Sequence, residues 1–442
     1  MKRVLSVFIL FLTFSVSPCL RGGSSNAHAA DTRTLTLDQA ISIAMDQNRD
    51  IEKAREYARY VQGRYVEERS AALPQLSLNA SAFLSQDDSQ KAMAGTAPRQ
   101  YSRVVDLSLS QPLYTWGKVN AAIRAAEVGL KTADEQLRLY RQSAYRDVST
   151  AFYDILLARE LNTLASENLA QKKRLLDESQ RKFAAGVATD YDVLAAEVAV
   201  ENARPEVIRS ANAIRTAQDR LRFLLALDSQ QLDVSGTLVT IVEPVKGYEQ
   251  ALLVARGKRP ELGDLRYRIG IYQELVTIAS AEDKPRLDLK AGAGWHWLDV
   301  KDNSLSNNAD GAAWNVGLQL SFPFFDGLKT SGKVTQARSD LRTKEIEAAK
   351  LLDSIALEIR NASDAVKEAA DIVSALGGTV RQAERLVQMA EKGYEFGVKI
   401  RLEVDDAQLN LLQARSNLAR AQRDYRVAGV NYEWAMGVAG EL

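Results

Sequence analysis

The 442-residue sequence predicts a mainly α-helical chain with a membrane β-barrel, in which long antiparallel coiled-coil helices accompany four β-strands. Three observations predict this fold class. Only 9 residues are proline, which favours long uninterrupted elements. The chain repeats itself at a shift of 211 positions, and each half contains two segments in which apolar and polar residues alternate.

Composition excludes several classes of function. The 57 Lys and Arg residues balance 57 Asp and Glu residues, which argues against a nucleic-acid partner. The single cysteine, Cys19, and the two histidines, His28 and His296, are too few for a Cys/His metal site or nucleophile pair. We therefore expect no metal, no cofactor and no catalytic residue, so the chain is not predicted to be an enzyme.

Residues 1–29 are predicted to be a signal peptide. Two basic residues precede an apolar run at positions 4–16, which has the length of a secretory signal and is too short to span a membrane. Small residues favour cleavage after Ala29. A lipobox-like sequence ending at Cys19 is the alternative, although Pro18 stands where a small residue is expected, so both lipidation and removal of Cys19 stay open.

The mature chain is predicted to contain two structural repeats, 30–240 and 241–442. At the 211-residue shift, proline coincides with proline and glycine with glycine, as in the pairs Pro74/Pro285, Pro112/Pro323 and Gly186/Gly397. Two similar halves usually pack with pseudo-symmetry, as in many transport proteins. A duplicated helical bundle without transport is the alternative.

Each repeat is expected to open with one helix. In the first repeat Thr36 and Gln39 form a capping box at the start, and the helix runs to about Ala72, where Pro74 stops it. The corresponding helix of the second repeat spans about 248–282.

A hairpin of strands follows each opening helix, at 76–113 and at 286–324. The strands are expected to be roughly 9–11 residues long, with long polar connections at 85–103 and 299–312 and no further strands in the chain. Four strands cannot close a barrel in lipid, so several chains must share one. A dimer would give 8 strands and a trimer 12, and the trimer is preferred because only the wider barrel holds an open aqueous lumen.

A long helix then leaves each hairpin. Between 118 and 183 there is no proline and apolar residues recur every three or four positions, so a helix of roughly 100 Å is expected. Its counterpart spans about 333–394, with a predicted break at Gly377-Gly378.

Each long helix is expected to end at a turn and to return antiparallel. Gly186 and Gly397 suit left-handed helix caps at these turns. The returning helices should end near Leu227 and Met436, and Pro205 should kink the first of them. Joined to a shared barrel, such hairpins would continue its lumen as a tube.

These features together resemble the TolC-type outer-membrane efflux family, and the resemblance covers essentially the whole mature chain. Besides the export signal, the repeat and the paired turns, it includes two strand-end motifs, Gln111-Pro112-Leu113-Tyr114 and Phe322-Pro323-Phe324-Phe325. The resemblance implies a homotrimer with a 12-stranded barrel in outer-membrane lipid and an α-helical barrel in the periplasm of a Gram-negative-type envelope. It also implies a periplasmic adaptor (membrane fusion) protein and an inner-membrane pump as partners.

The implied function is that of a passive channel-tunnel in a tripartite efflux or type I secretion system, gated at the periplasmic helix tips. By the resemblance, Glu403 and Asp406 correspond to the family's two inward acidic rings at the closed entrance. Acids near a helix N-terminus also stabilise the helix dipole, which is the alternative explanation for both residues.

The resemblance also implies a latch that holds the closed state. Tyr394 corresponds to a tyrosine that bonds an aspartate, here Asp192, and Lys399 stands where the family normally has arginine, with Tyr191 in place of its hydroxyl partner. The turns at Gly186 and Gly397 are where adaptor tips should dock, although each glycine is also explained as a helix cap. A non-conducting coiled-coil envelope spacer or adhesin is the rival function, and bilayer conductance separates the two.

Overall fold

The computed structural model describes residues 33–90, 97, 99–227, 232–239, 246–301 and 306–440. The predicted signal peptide, 1–29, lies outside the described residues, and so does Cys19. Each helix in the described ranges is too short or too polar to cross a membrane.

The first repeat opens with two helices, α1 (Leu37–Gln47) and α2 (Arg49–Ser70). The predicted capping box is confirmed, because the Gln39 backbone N–H donates to Thr36 Oγ1 and the Thr36 N–H donates to Gln39 Oε1. The prediction of one continuous helix is wrong. Asn48 has an extended backbone, and its side chain accepts hydrogen bonds from the first backbone N–H groups of α2, so it ends one helix and caps the next.

The second repeat shows the same break from a different cause. Its opening helix is also two helices, α5 (Tyr248–Lys258) and α6 (Pro260–Ser280). Pro260 occupies the first position of α6, where its missing N–H costs nothing, and it forces the preceding Arg259 into an extended conformation. The prediction of a continuous helix at 248–282 is therefore wrong as well.

Two short strands form a small parallel sheet near these helices. Strands β1 (Arg33–Leu35) and β4 (Leu232–Val234) pair residue by residue, which ties the start of the first repeat to the end of that repeat. The expectation that the chain holds no further strands is therefore wrong. Leu35 and Val234 are almost fully buried, so these short strands are fixed by the core beneath them.

Four longer strands form an antiparallel sheet, β2 (Gln75–Gln86), β3 (Arg99–Tyr114), β5 (Arg286–Lys301) and β6 (Ser306–Ser321). Their order is β2-β3-β5-β6, so the two predicted hairpins lie side by side and β3 pairs with β5. The strands have 12 or 16 residues, which corrects the predicted 9–11. Backbone pairing continues through polar residues, so the predicted 299–312 connection is also too long.

Long helical hairpins extend from this sheet. The helices of 67 residues are α3 (Lys118–Ala184) and α7 (Lys329–Glu395), and the returning helices are α4 (Asp190–Leu225) and α8 (Arg401–Ala435). Helix α3 is unbroken, as predicted.

Two positions in these helices were expected to break or kink them. The predicted break at Gly377-Gly378 is wrong: α7 is continuous there, because glycine weakens a helix without interrupting its hydrogen bonds. Helix α4 also stays helical through Pro205, where a kink was expected.

Two hydrophobic cores lie partway along the long helices, one in each repeat. In the first, Val148 of α3 packs with Leu221 of α4 and with α1 and the small sheet. In the second, Ile359 of α7 packs with Tyr425 of α8 and with α5. Val148 and Ile359 are one repeat apart and have no exposed surface, so the duplication extends to the packing. Beyond these cores each hairpin continues to its turn.

Candidate functional site at the helical tips

Both hairpins turn at a glycine with a left-handed backbone, as predicted. The φ angle is 75° at Gly186 and 71° at Gly397, and no atom lies within 4 Å of the position a Cβ would take at either residue. Glycine is therefore favoured by the backbone conformation alone. At each turn, the N–H after the glycine donates to a carbonyl of the long helix's last turn, from Val187 to Lys182 and from Val398 to Gly393. This is the pattern of a Schellman cap.

At the first tip, Asp192 caps its own helix. Its Oδ2 accepts hydrogen bonds from the Thr189 backbone N–H at 2.8 Å and from Thr189 Oγ1 at 2.7 Å, which together lower the pKa of the Asp192 carboxyl. The Thr189 hydroxyl oxygen accepts in turn from the Asp192 N–H. Asp192, a predicted latch residue, therefore forms a capping box with Thr189.

At the second tip, Glu403 occupies the equivalent position in the turn. It accepts from the Ile400 backbone N–H at 3.0 Å and from Lys399 Nζ at 2.6 Å. The lysine and the backbone donor lower the pKa of the Glu403 carboxyl. Lys399, a predicted latch residue, therefore contacts Glu403, a predicted gate acid.

Tyr394 of α7 is surrounded by cations. Its hydroxyl accepts from Lys182 Nζ of α3 at 3.3 Å, and its ring centroid lies 5.3 Å from that nitrogen and 5.7 Å from the guanidinium carbon of Arg401. Tyr394 and Asp192 line the same cavity of about 430 Å³ between the two hairpins, where each binds a different partner. The Tyr394–Asp192 latch stays a prediction.

Ion pairs that the sequence did not predict join the hairpins beside this cavity. Lys172 Nζ of α3 donates to Asp405 Oδ1 of α8 at 3.1 Å. Arg401 Nη1 of α8 lies 3.9 Å from Glu178 Oε2 of α3, and Arg401 Nε lies 3.6 Å from Asp405 Oδ2. Glu178 also pairs with Lys182, and this hydrogen bond lowers the pKa of the Glu178 carboxyl. The charges alternate, so α3 and α8 are joined by a connected network that Tyr394 of α7 also contacts.

The same two helices are bridged again farther from the tips. Arg423 of α8 donates to Asp154 of α3 at 2.6 and 2.8 Å through two nitrogens. Between that pair and the tip, Arg415 lies 3.9 Å from Glu167 of α3 and donates to Glu384 of α7 at 2.8 Å. Helices α3 and α8 are thus connected by charge at intervals along their shared length.

The three acids near the start of α8 have separate surroundings. Glu403 is exposed and caps the helix, whereas Asp405 is half-buried in the bridge to Lys172. Asp406 is exposed and has no hydrogen bond or ion pair with any described residue. In the described ranges, no three side chains of the His, Cys, Asp or Glu type come together to hold a metal ion.

Apolar packing differs between the two tips. Val404 and Ala407 of α8 pack with Ala390 of α7 in a small buried cluster near the second turn. Both tips also expose apolar side chains, such as Tyr191 at 77% and Leu194 at 57% in the first and Leu402 at 63% and Leu409 at 64% in the second. In the described residues, the first tip has no comparable buried cluster.

Comparisons with known proteins cover most of the sequence. The model of the family described as outer membrane efflux protein matches residues 40–227 and 252–438. "Outer membrane protein TolC" of Vibrio cholerae is 23% identical, with 84% of each chain covered. "Alkaline protease secretion protein AprF" of Pseudomonas aeruginosa is 26% identical over 77% of this chain and 70% of that protein.

Solved structures share the fold at low sequence identity. The Campylobacter jejuni CmeC outer membrane channel has a TM-score of 0.80 at 18% identity, with 91% of this chain and 86% of that chain covered. The outer-membrane channel OprN has a TM-score of 0.78 at 19% identity, covering 91% and 90%. The predicted fold class, long helical hairpins with strands of a membrane β-barrel, is confirmed.

Proposed function

The chain belongs to the outer membrane efflux protein family, and from this membership we propose that it is a passive channel-tunnel for efflux or type I secretion. The resemblance stated from the sequence is confirmed. The chain is placed in the outer membrane, with its helical hairpins in the periplasm. Relatives named for outer-membrane efflux and for protease secretion support both uses of such a channel.

One observation carries this proposal: an open-edged sheet with an exposed apolar face stands at the end of very long helices. Strands β2 and β6 each pair on one side only, and Leu78 and Trp314 on their apolar face are 70% and 79% exposed. Backbone groups in lipid must all be paired. We infer that three copies close a 12-stranded barrel, because a barrel of that size keeps an aqueous lumen.

The tip network supports gating. The bridges from Lys172 and Glu178 of α3 to α8 hold the two hairpins together, and separating the hairpins must break them. The predicted latch pair, Tyr394 and Asp192, remains part of the proposal because both line the cavity between the hairpins. Opening therefore consists of parting the hairpins at this network, with no chemical step and no catalytic residue.

The charge of the closed entrance is assigned to two acids. Asp406 is exposed and has no partner among the described residues, so three copies supply an undiminished ring of negative charge. Lys399 offsets the charge of Glu403, so a second ring at that level is weaker. Asp406 accordingly contributes more to cation preference than Glu403.

The partners are a periplasmic adaptor at the turns and an inner-membrane pump beyond it. Val187 and Val398, directly after the turn glycines, are 75% and 81% exposed, and Phe396 is 80% exposed. Apolar side chains at such tips are suited to burial by another protein. A pump that selects the substrate leaves the channel itself with little need for specificity.

Conductance tests this proposal. The detergent-purified protein, shown to be a trimer by native mass after correction for bound detergent, is inserted into a planar bilayer. We expect the conductance to be cation-selective. Asp406→Asn should reduce this selectivity more than Glu403→Gln does. Asp190→Asn, at the first position of α4, is the matched control. A stable non-conducting protein would instead favour the spacer or adhesin.

A further inference from the structure

The lipid-facing side of the sheet carries basic residues at its outer end. In β3, Arg103 lies on the same face as Leu107 and Leu109, directly opposite Trp297 of β5. Two residues farther out on the same face, Tyr101 is opposite Asp299. Two residues beyond that, Arg99 is opposite Lys301. We call Arg99, Arg103 and Lys301 the rim patch.

The height of the rim patch matches the edge of a bilayer. Tyr114 marks the other end of the apolar face, where its ring packs edge-on against Trp116 with centroids 5.3 Å apart. Between Tyr114 and Arg103 the strand rises about 28 Å along the barrel axis, at about 3.3 Å per residue and a tilt of about 40°. The apolar band of a membrane barrel is about 25 Å tall, so Arg103 stands just beyond it and the rim patch lies at headgroup level.

Arg103 contacts two aromatic rings and one acid. Its guanidinium carbon lies 5.1 Å from the Tyr101 ring centroid and 6.0 Å from that of Trp297, while Nη2 donates to Asp299 Oδ2 at 2.8 Å. Its Nε is buried and has no acceptor in the described residues. Asp310, opposite Trp297, is the other acid on this face.

In the described residues, no acid pairs with the outermost cations, Arg99 and Lys301. Arg99 and Lys301 are exposed cations directly opposite each other on adjacent strands, and like charges in this position destabilise a sheet. Arg99 Nε donates to the neutral Gln86 of β2, which leaves its charge unpaired. An anion seated between the two side chains would remove the repulsion and use the remaining guanidinium donors.

We propose that the rim patch binds the phosphate of an anionic lipid in the outer leaflet. A phosphate offers the oxygens that arginine binds as a fork and that lysine binds as a point charge. A lipid ligand also explains why the cations share a face with Trp297 and Tyr101, whose rings suit the interface between chains and headgroups. The inference rests on the barrel placement of the proposed function and goes beyond conduction.

Native mass spectrometry of the detergent-purified trimer tests it, with bis-phosphorylated lipid A and its fully dephosphorylated form as the probes. We expect the wild-type protein to retain the phosphorylated form, and the double variant Arg99→Gln with Lys301→Gln to bind it about tenfold more weakly. Lys290→Gln is the matched control, because Lys290 lies on the opposite face of β5, where it donates to Ser110. That control should retain the lipid as the wild-type protein does.

Two results would overturn the inference: equal retention of both lipid forms by the wild-type protein, or equal retention of the phosphorylated form by the wild type and the double variant. A salt titration of the wild-type complex needs no variant, and rising NaCl must release the phosphorylated lipid selectively. Bilayer conductance of the same preparations separates the two proposals. A conducting trimer without selective lipid retention contradicts only the lipid site, whereas a non-conducting wild-type protein contradicts the channel.

Discussion

The two hairpin tips have the same backbone design and different side-chain interactions. Each has a helix of 67 residues, a left-handed glycine and a return helix whose third residue is an acid that caps it. The first cap is closed by Thr189 alone, whereas the second recruits Lys399 because Ile400 has no polar group. Both tips expose apolar side chains, and in the described residues only the second tip also has a buried apolar cluster.

The two copies of the duplicated hairpin are therefore suited to different roles. The second tip is stabilised by its own buried cluster, and ion pairs to α3 join it to the first hairpin. The first tip leaves Tyr191 and Leu194 uncovered, so it is suited to contacts with other chains.

The bridge from α3 to the second tip should dominate gating. Asp405→Lys replaces the 3.1 Å attraction to Lys172 with repulsion beside Arg401, so we expect open-channel conductance to rise about tenfold or more. The measurement is single-channel recording in planar bilayers.

Two controls accompany that variant. Glu197→Lys makes the same charge change on the exposed face of the first tip and should leave the conductance near that of the wild type. Adding Lys172→Asp to Asp405→Lys should restore closure. Equal increases from Glu197→Lys and Asp405→Lys would show that total charge, and not the bridge, sets the closed state.

The buried cluster should stabilise the second tip only. Val404 is 4% exposed, and Val404→Ala leaves a cavity that should make local opening of residues 401–410 about tenfold more frequent, as measured by hydrogen exchange. Val198 is 51% exposed, so Val198→Ala should leave exchange nearly unchanged and instead weaken adaptor binding. Matching exchange in the two variants would contradict the contrast in packing.

The capping difference should give a smaller effect. Thr189→Ala removes the hydroxyl partner of Asp192 and should speed amide exchange in the first turn of α4 about fivefold. Ile400→Thr supplies the missing hydroxyl and should slow exchange in the first turn of α8. If both substitutions moved exchange in the same direction, the two turns would not differ in their caps.

Acid should loosen both tips, with the smallest effect of the four. Hydrogen bonds hold the pKa of Asp192 and of Glu403 below the usual range, so their stabilisation is complete above the unfolded carboxyl value, about 4, and fades as the pH falls through the lower folded pKa. Nitroxide labels at Val187→Cys and Val398→Cys should show constant mobility from about pH 8 to about pH 5 and increased mobility below about pH 4.

Salt distinguishes the two tips in the same experiment. Glu403 also pairs with the charge of Lys399, whereas Asp192 bonds neutral groups, so salt should loosen only the second tip. A salt response at the first tip equal to or larger than that at the second would contradict this assignment.

Local sequence signals predicted the local structure well. The box of Thr36 and Gln39 and the turns at Gly186 and Gly397 depend on neighbours within a few residues, and the structure contains them. The break at Asn48 was missed because asparagine is also tolerated inside helices, and only its actual backbone shows that it caps. Gly377-Gly378 was given too much weight, since the rest of α7 keeps the helix continuous.

The network between the tips was beyond prediction for a different reason. Lys172 and Asp405 are 233 residues apart, and their contact depends on the axial alignment of α3 with α8. Both helices carry many charges of both signs, so no periodicity identifies which of them meet. The family resemblance supplied corresponding positions for Asp192 and Glu403, but the contacts of these acids with Thr189 and Lys399 depend on the local geometry of each turn.

The anchoring of α3 in the first core makes its outer part a lever arm. Val148 and Phe152 are fixed in that core, and about 50 Å of helix separates Phe152 from the turn at Gly186. A rotation of about 5° at this fulcrum moves the turn by about 4 Å. It moves Lys172, about 30 Å along the helix, by about 2.6 Å, which is enough to stretch the 3.1 Å bridge to Asp405 beyond hydrogen-bond distance. Small angular changes at the middle of the molecule are therefore amplified into loss of the bridge at its end.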